Sequence, residues 1–139
     1  MELSQVSANK IYQNWLKMED VPGARQQEVA RRVFGLNVDP AYGKIVEPKE
    51  SGGVRIIELP EETKPENWGR TIAPLLESRG WKLFFTQAPR STLSLGRAEH
   101  PDRQLAVDTQ FLMPQADLAA VLGLCIAELE LEIAIAAGA

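Results

Sequence analysis

The residues best suited to chemistry lie in one short segment near the middle of the second half of the chain. This segment holds His100, the only histidine among 139 residues, together with Arg97, Asp102 and Arg103. Two arginines can bind a carboxylate or phosphate through paired hydrogen bonds, and a histidine changes its charge near neutral pH. We therefore predict a polar recognition loop formed by Arg97, His100, Asp102 and Arg103. The alternative is a solvated turn whose opposite charges pair with one another.

Cys125, the single cysteine, is the other side chain able to act as a nucleophile. Its neighbours Leu122, Leu124 and Ile126 are apolar, whereas a catalytic thiol requires an electropositive and partly exposed setting. We expect Cys125 to be a small buried residue, and we predict no catalytic residue. One histidine and one cysteine cannot build a closed zinc site, and no glycine-rich phosphate loop occurs. No metal and no cofactor are expected.

A pair of carboxylates offers a different chemistry. Glu128 and Glu132 are four residues apart, so they share one face if the segment is helical. Buried together, they could serve acid–base catalysis, whereas on a solvated helix edge they would have no such role. A small enzyme that uses these carboxylates or His100 is therefore one alternative function.

A basic segment near the N-terminus points to another class of function. In outline it resembles a helix-turn-helix, because Asp39 and Pro40 suit the cap and first position of a second helix. The net charge of −4 argues against nucleic acid as the main partner, since phosphate binding needs concentrated Lys and Arg. A DNA-binding regulator stays as an alternative, and its DNA-facing side chains would be Arg31, Arg32, Tyr42 and Lys44.

The N-terminal half is predicted to form a helical hairpin followed by a β-hairpin. Apolar residues at helical spacing indicate one helix ending near Met18 and a second from Ala24 to Phe34. Trp15 lies on the apolar face of the first helix, where it is either a partly exposed interface anchor or packed against the second helix. Two β-branched runs, 44–47 and 54–59, flank the turn-forming segment 48–53.

The following segment is predicted to be a helix and three strands. Apolar residues from Trp68 onward have helical spacing, and Gly80 fits a left-handed stop. Pro74 requires this helix to begin near Arg70 or to be kinked. The strands cover 81–86, 92–95 and 104–111, with a turn around Pro89, and their short links predict an antiparallel meander.

A long apolar helix is predicted from Pro114 onward. Residues 118–127 are apolar on every side except for Gly123, which is typical of a helix buried across a sheet. Residues 128–133 alternate between Glu and an aliphatic residue, which is a strand pattern. No turn residue precedes them, and Glu and Leu are strong helix formers, so we predict that the helix continues.

These elements predict one α+β domain over residues 1–139. It would have an N-terminal helical hairpin, an antiparallel sheet of about five strands, and the long apolar helix packed on that sheet. A single cysteine and the absence of a signal peptide or membrane-spanning run lead us to expect a cytoplasmic protein. The leading hypothesis is a non-catalytic protein-binding module of the adaptor, chaperone-like or immunity-like regulatory type. Its partner would be another protein or, as a homodimer, a second copy.

Overall fold

Four α-helices and two small antiparallel sheets make up the part of the chain that the structure, a computed structural model, describes: residues 1–87 and 93–138. The predicted turn at Pro89 and the start of the predicted strand at Thr92 lie outside these residues. In chain order the elements are α1 (Gln5–Lys17), α2 (Ala24–Arg32), β1 (Val38–Asp39), β2 (Lys44–Pro48), β3 (Val54–Ile57), α3 (Trp68–Ser78), β4 (Lys82–Gln87), β5 (Leu93–His100), β6 (Leu105–Leu112) and α4 (Gln115–Gly138).

The mixture of helices and antiparallel strands confirms the α+β class. The prediction of one sheet of about five strands is not confirmed, because the strands form two separate sheets with the orders β1-β2-β3 and β4-β5-β6. The second of these is the predicted meander. The first is the predicted hairpin with one more strand, since β1 folds back on β2 and pairs Val38 with Ile45 and Asp39 with Lys44.

The helix that a helix-turn-helix requires at Asp39 is not formed, so that prediction is wrong. Asp39 belongs to β1, and its side-chain Oδ1 accepts a 2.8 Å hydrogen bond from the backbone N–H of Ala41. The backbone carbonyl of Asp39 accepts from Tyr42 and Gly43, and Gly43 has a φ of +66°. The aspartate therefore stabilises a tight turn into β2, because a short acceptor side chain competes with helix formation.

The stop predicted at Gly80 is confirmed. Helix α3 ends at Ser78, and Gly80 follows with a φ of +94°. The N–H of Trp81 reaches back to the carbonyl of Leu76, which is the hydrogen bond expected across a left-handed helix end. The helix begins at Trp68 with Pro74 inside it, so of the two predicted alternatives the start near Arg70 is excluded.

Helix α4 is the centre of the core. Every residue from Leu118 to Ile126 is buried, because the meander, α1, α2 and α3 all pack on this helix. The segment 128–133 is part of α4, which confirms that the helix continues. A Cβ added at Gly123 would lie 3.0 Å from the side chain of Val33. The absence of a side chain at Gly123 therefore lets the segment after α2 pack closely on α4. Within the described residues, no helix is both long and apolar enough to cross a membrane.

The two edges of the meander differ. Beside β6, the N–H of Ala106 donates to the carbonyl of Met1 and the N–H of Leu3 donates to the carbonyl of Ala106. The N-terminal residues thus cover that edge by a short parallel bridge. Beside β4, no strand is paired on the side away from β5 among the described residues. Among the described residues, one edge of this sheet is therefore covered and the edge formed by β4 is unpaired.

Candidate interaction surface

The meander has one face covered by α4 and one face open to solvent. Side chains in β6 alternate between buried and exposed from Leu105 to Leu112, as predicted from the sequence. On the inner face the packing against α4 is close: a side chain at Gly96 would lie 2.9 Å from Thr109 and 3.3 Å from Leu118. The inner face of β5 and β6 is therefore closely packed, and the outer face of the sheet is the one exposed to solvent.

Three large apolar side chains lie on the outer face, one on each strand. They are Phe84 of β4, Leu95 of β5 and Leu112 of β6, with exposed fractions of 51%, 40% and 62%. The pairing register sets Phe84 opposite Arg97, and Leu95 opposite both Thr86 and Gln110.

Phe84 and Leu95 are therefore diagonal neighbours across two strands. The same holds for Leu95 and Leu112, because Gln110 is the residue of β6 that lies directly opposite Leu95. Diagonal neighbours in a sheet are about 7–8 Å apart, within reach of long side chains. Phe84, Leu95 and Leu112 thus form a continuous diagonal row, which we call the apolar stripe.

Polar groups border the apolar stripe, and Arg97 forms ion pairs with two of its charged neighbours. Arg97 donates to Asp108 at 2.5 Å and to Glu99 at 2.7 Å. The hydrogen bond to Asp108, with that to Glu99, raises the pKa of Arg97. A depression of about 480 Å³ lies here between Phe84, Leu95, Arg97 and Asp108. The surface has an apolar centre and a polar border in which Arg97 is paired with Glu99 and Asp108.

The predicted recognition loop is not a loop, and the structure does not bring its four residues together. Arg97 and His100 belong to β5, on opposite faces of the sheet, although both border a depression of about 350 Å³. Asp102 is exposed in a short 3-10 turn. Arg103 donates to Glu130 of α4 at 3.2 Å. The four side chains are separated because side chains in a strand alternate between the two faces of the sheet and because the strand ends at His100.

His100 is a core residue that joins the end of α3 to β5. Its ring is 7% exposed and meets the ring of Trp81 edge-on, with the ring centres 5.3 Å apart. Its Nε2 lies 2.9 Å from the carbonyl oxygen of Arg79. A carbonyl only accepts hydrogen bonds, so we assign the proton to Nε2. His100 therefore holds two elements of the core together.

Trp15 is fully buried, so of the two alternatives for this residue the partly exposed interface anchor is excluded. Its ring contacts that of Trp68, and the guanidinium of Arg25 lies 4.7 Å from the ring centre. Arg25 also donates two hydrogen bonds to the carbonyl of Trp15. The alternative, in which Trp15 packs inside the helical hairpin, is the arrangement that the structure has.

The side chains named for DNA binding do not form a free basic surface. Arg31 pairs with Glu28, Arg32 with Glu28 and Glu128, and Lys44 with Glu58. Tyr42 lies in the turn before β2 and is exposed. The carboxylates Glu128 and Glu132 also have structural partners, since Glu132 accepts a hydrogen bond from Ser7. Among the described residues, no group of three or more potential ligands is placed to hold a metal ion.

Cys125 is expected to be inert in the folded protein. Its burial raises the pKa of the thiol from 9.0 to about 12. Because the folded pKa lies above the unfolded one, this group stabilises the fold below about pH 9, and the contribution is lost as the pH rises toward 12. A thiol reagent at pH 8 should react with Cys125 only in denaturant, whereas Leu95→Cys should react at once without it. Prompt reaction of the native protein would contradict this burial.

The apolar stripe is the part of the surface that the sequence reasoning missed. The signal was present in Phe84-Phe85, because two consecutive phenylalanines in a strand must point to opposite faces of the sheet. Comparisons of the chain with protein-family models, with curated proteins and with solved structures found no match. The function proposed below is therefore drawn from the geometry of this chain.

Proposed function

We propose that this chain is a non-catalytic protein-binding module of the adaptor, chaperone-like or immunity-like regulatory type. The observation that carries the proposal is the apolar stripe, which lies on the exposed face of a sheet whose other face packs on α4. Contiguous exposed apolar residues with a polar border are typical of protein interaction sites. The partner would place apolar side chains against Phe84, Leu95 and Leu112.

The charges around the apolar stripe support a protein partner. A binding site for another protein has an apolar centre and a polar rim, with few unpaired charges at the centre. Arg97 and Asp108 already pair with each other, so a docked apolar surface would not leave either of these two charges buried without a partner. Phe84 is the expected anchor, because it is the aromatic side chain of the apolar stripe and aromatic residues contribute strongly to binding energy.

The test is the double variant Leu95→Lys, Leu112→Lys. Used as bait in extract from its own source, the wild-type chain should retain a set of proteins that this variant loses at least about tenfold, because a lysine ammonium cannot be buried cheaply against an apolar partner. Both leucines are exposed, so the free energy of unfolding should stay within about 0.5 kcal/mol of the wild type.

The matched control is Leu131→Lys, Ile135→Lys. These residues are also exposed aliphatic side chains, 49% and 60%, but they lie toward the C-terminal end of α4. The control should retain the same proteins as the wild type. If the stripe variant retains them too, the apolar stripe is not the binding surface.

A further inference from the structure

Strand β4, whose outer edge is unpaired among the described residues, has a sequence that complements itself. Its first five residues are Lys82, Leu83, Phe84, Phe85 and Thr86. In an antiparallel pair of two such strands centred on Phe84, Phe84 lies opposite Phe84 of the second copy. Leu83 then lies opposite Phe85, and Lys82 opposite Thr86, on both sides of the centre. Every apolar residue meets an apolar residue in this register.

The same register keeps the faces of the two sheets aligned. Residues directly opposite each other in a sheet point to the same face. Phe84 and Thr86 point outward and are exposed, whereas Leu83 and Phe85 point inward and are half-buried against the core. Pairing would therefore cover the uncovered parts of Leu83 and Phe85 on the inner face and would bring two Phe84 rings together on the outer face.

Charge also favours the pairing of β4 with itself. Lys82 is the only charged residue of β4, and in this register it faces Thr86 of the other copy. The two Lys82 residues would be separated by four residue steps, roughly 13 Å along the strand. Like charges directly opposite each other destabilise a sheet, and this arrangement avoids them. A register centred on Phe85 would instead set Phe84 opposite Thr86 and would lose the apolar matching.

We propose that two copies of this chain associate by antiparallel pairing of β4 with β4 about Phe84. The product is a six-stranded sheet with a twofold axis, and such an axis requires a self-complementary contact of this kind. The two apolar stripes then meet at Phe84 and run across all six strands. The inference goes beyond the proposed function, because it concerns the edge of the sheet and needs no other protein.

The register predicts opposite effects for two substitutions at one position. Thr86→Lys sets a lysine opposite Lys82 of the other copy at two symmetric places and should weaken dimerisation about tenfold. Thr86→Glu sets a carboxylate opposite Lys82 of the other copy and should strengthen dimerisation by a similar factor. The charge-swapped variant Lys82→Glu, Thr86→Lys should restore dimerisation to the wild-type level or above. Sedimentation equilibrium at low salt measures each dissociation constant.

Disulfide formation tests the register itself. Directly opposite residues have Cα atoms 4.5–5.5 Å apart, which suits a disulfide. Phe84→Cys should therefore cross-link to itself, and a mixture of Lys82→Cys with Thr86→Cys should cross-link as a mixed pair. Lys82→Cys alone should not. Cys125 is buried and should take no part in these reactions.

Two outcomes would overturn this proposal. One is a folded wild type that stays monomeric up to about 100 µM, a concentration that should reveal even a weak interface of small size. If Thr86→Lys then weakened the capture of another protein, the edge of β4 would be a binding site for a strand of that protein and not for a second copy of this chain. The other is a dimer whose cross-links do not follow the register. The variant Leu95→Lys, Leu112→Lys should dimerise like the wild type, so dimerisation and the proposed function can fail separately.

Discussion

Replacing Gly80 by alanine should lower the free energy of unfolding by about 3 kcal/mol. Two effects combine at this position. The φ of +94° is one that an L-residue adopts only at a cost, and a new Cβ would lie 2.6 Å from Nε2 of His100 and 2.9 Å from its Cε1. The ring of His100 cannot move without losing its hydrogen bond to Arg79, so the strain is not easily relieved.

Gly35→Ala is the matched control for this prediction. Gly35 has a φ of +72°, but no atom lies within 4 Å of its ideal Cβ position. Substitution of Gly35 by alanine should lower the free energy of unfolding by about 1–2 kcal/mol, because it introduces the backbone strain without a steric clash. Urea unfolding followed by circular dichroism measures both changes. In a double-mutant cycle with His100→Ala, the cost of Gly80→Ala should fall by about 1 kcal/mol or more, because the clash is removed. Equal costs for the two glycines would contradict the contact with His100.

Trp68→Ala should lower the free energy of unfolding by about 4 kcal/mol. Trp68 is 2% exposed, its ring contacts Trp15, and its Nε1 donates a 2.9 Å hydrogen bond to the carbonyl of Thr63. Its removal would leave a large cavity and a buried carbonyl without a partner. Such a loss is a large fraction of the stability of a domain of this size.

A comparison of two phenylalanine variants isolates the hydrogen bond of Trp68. The indole N–H of Trp15 is equally buried, but it has no hydrogen-bond partner among the described residues. Trp68→Phe should therefore cost about 1 kcal/mol more than Trp15→Phe, because it alone removes a hydrogen bond. Chemical denaturation followed by far-ultraviolet circular dichroism is the suitable measurement, since it does not depend on tryptophan fluorescence. Equal costs would mean that the Thr63 contact contributes little.

Much of the fold was predictable because the decisive signals are local. Gly80 ends a helix through its own conformational freedom. The alternation from Leu105 to Phe111 assigns the faces of β6 without reference to any other strand. The helix continues through 128–133 because no turn residue interrupts it, even though the alternation of Glu with aliphatic residues suggested a strand.

The division into two sheets was not predictable from such signals. Strand β1 has only two residues, Val38 and Asp39, and two residues show no periodicity. It forms because its backbone pairs with the edge of β2, and such pairing depends on how the chain folds back rather than on the two residues themselves. The same Asp39 is a good cap for a helix and a good turn residue, and the φ of Gly43 shows that the turn prevails here.

The candidate site was harder to predict than the fold. The segment from Arg97 to Arg103 has the composition of a recognition loop, yet β5 extends through His100 because Leu105 is available to pair with it. Burial of His100 and Trp15 depends on neighbours distant in sequence, namely Arg79 and Trp68. The apolar stripe arises only from the register of three strands, so composition alone could not reveal it.

The position of α4 has a consequence for synthesis of this protein on the ribosome. Helices α1, α2 and α3 and the inner face of the meander all pack on a segment that is translated after them. Until residues 115–126 have left the exit tunnel, those apolar surfaces have nothing to cover them. We expect nascent chains stalled before this point to aggregate or to recruit chaperones, whereas release of the whole segment should trigger folding in one cooperative event.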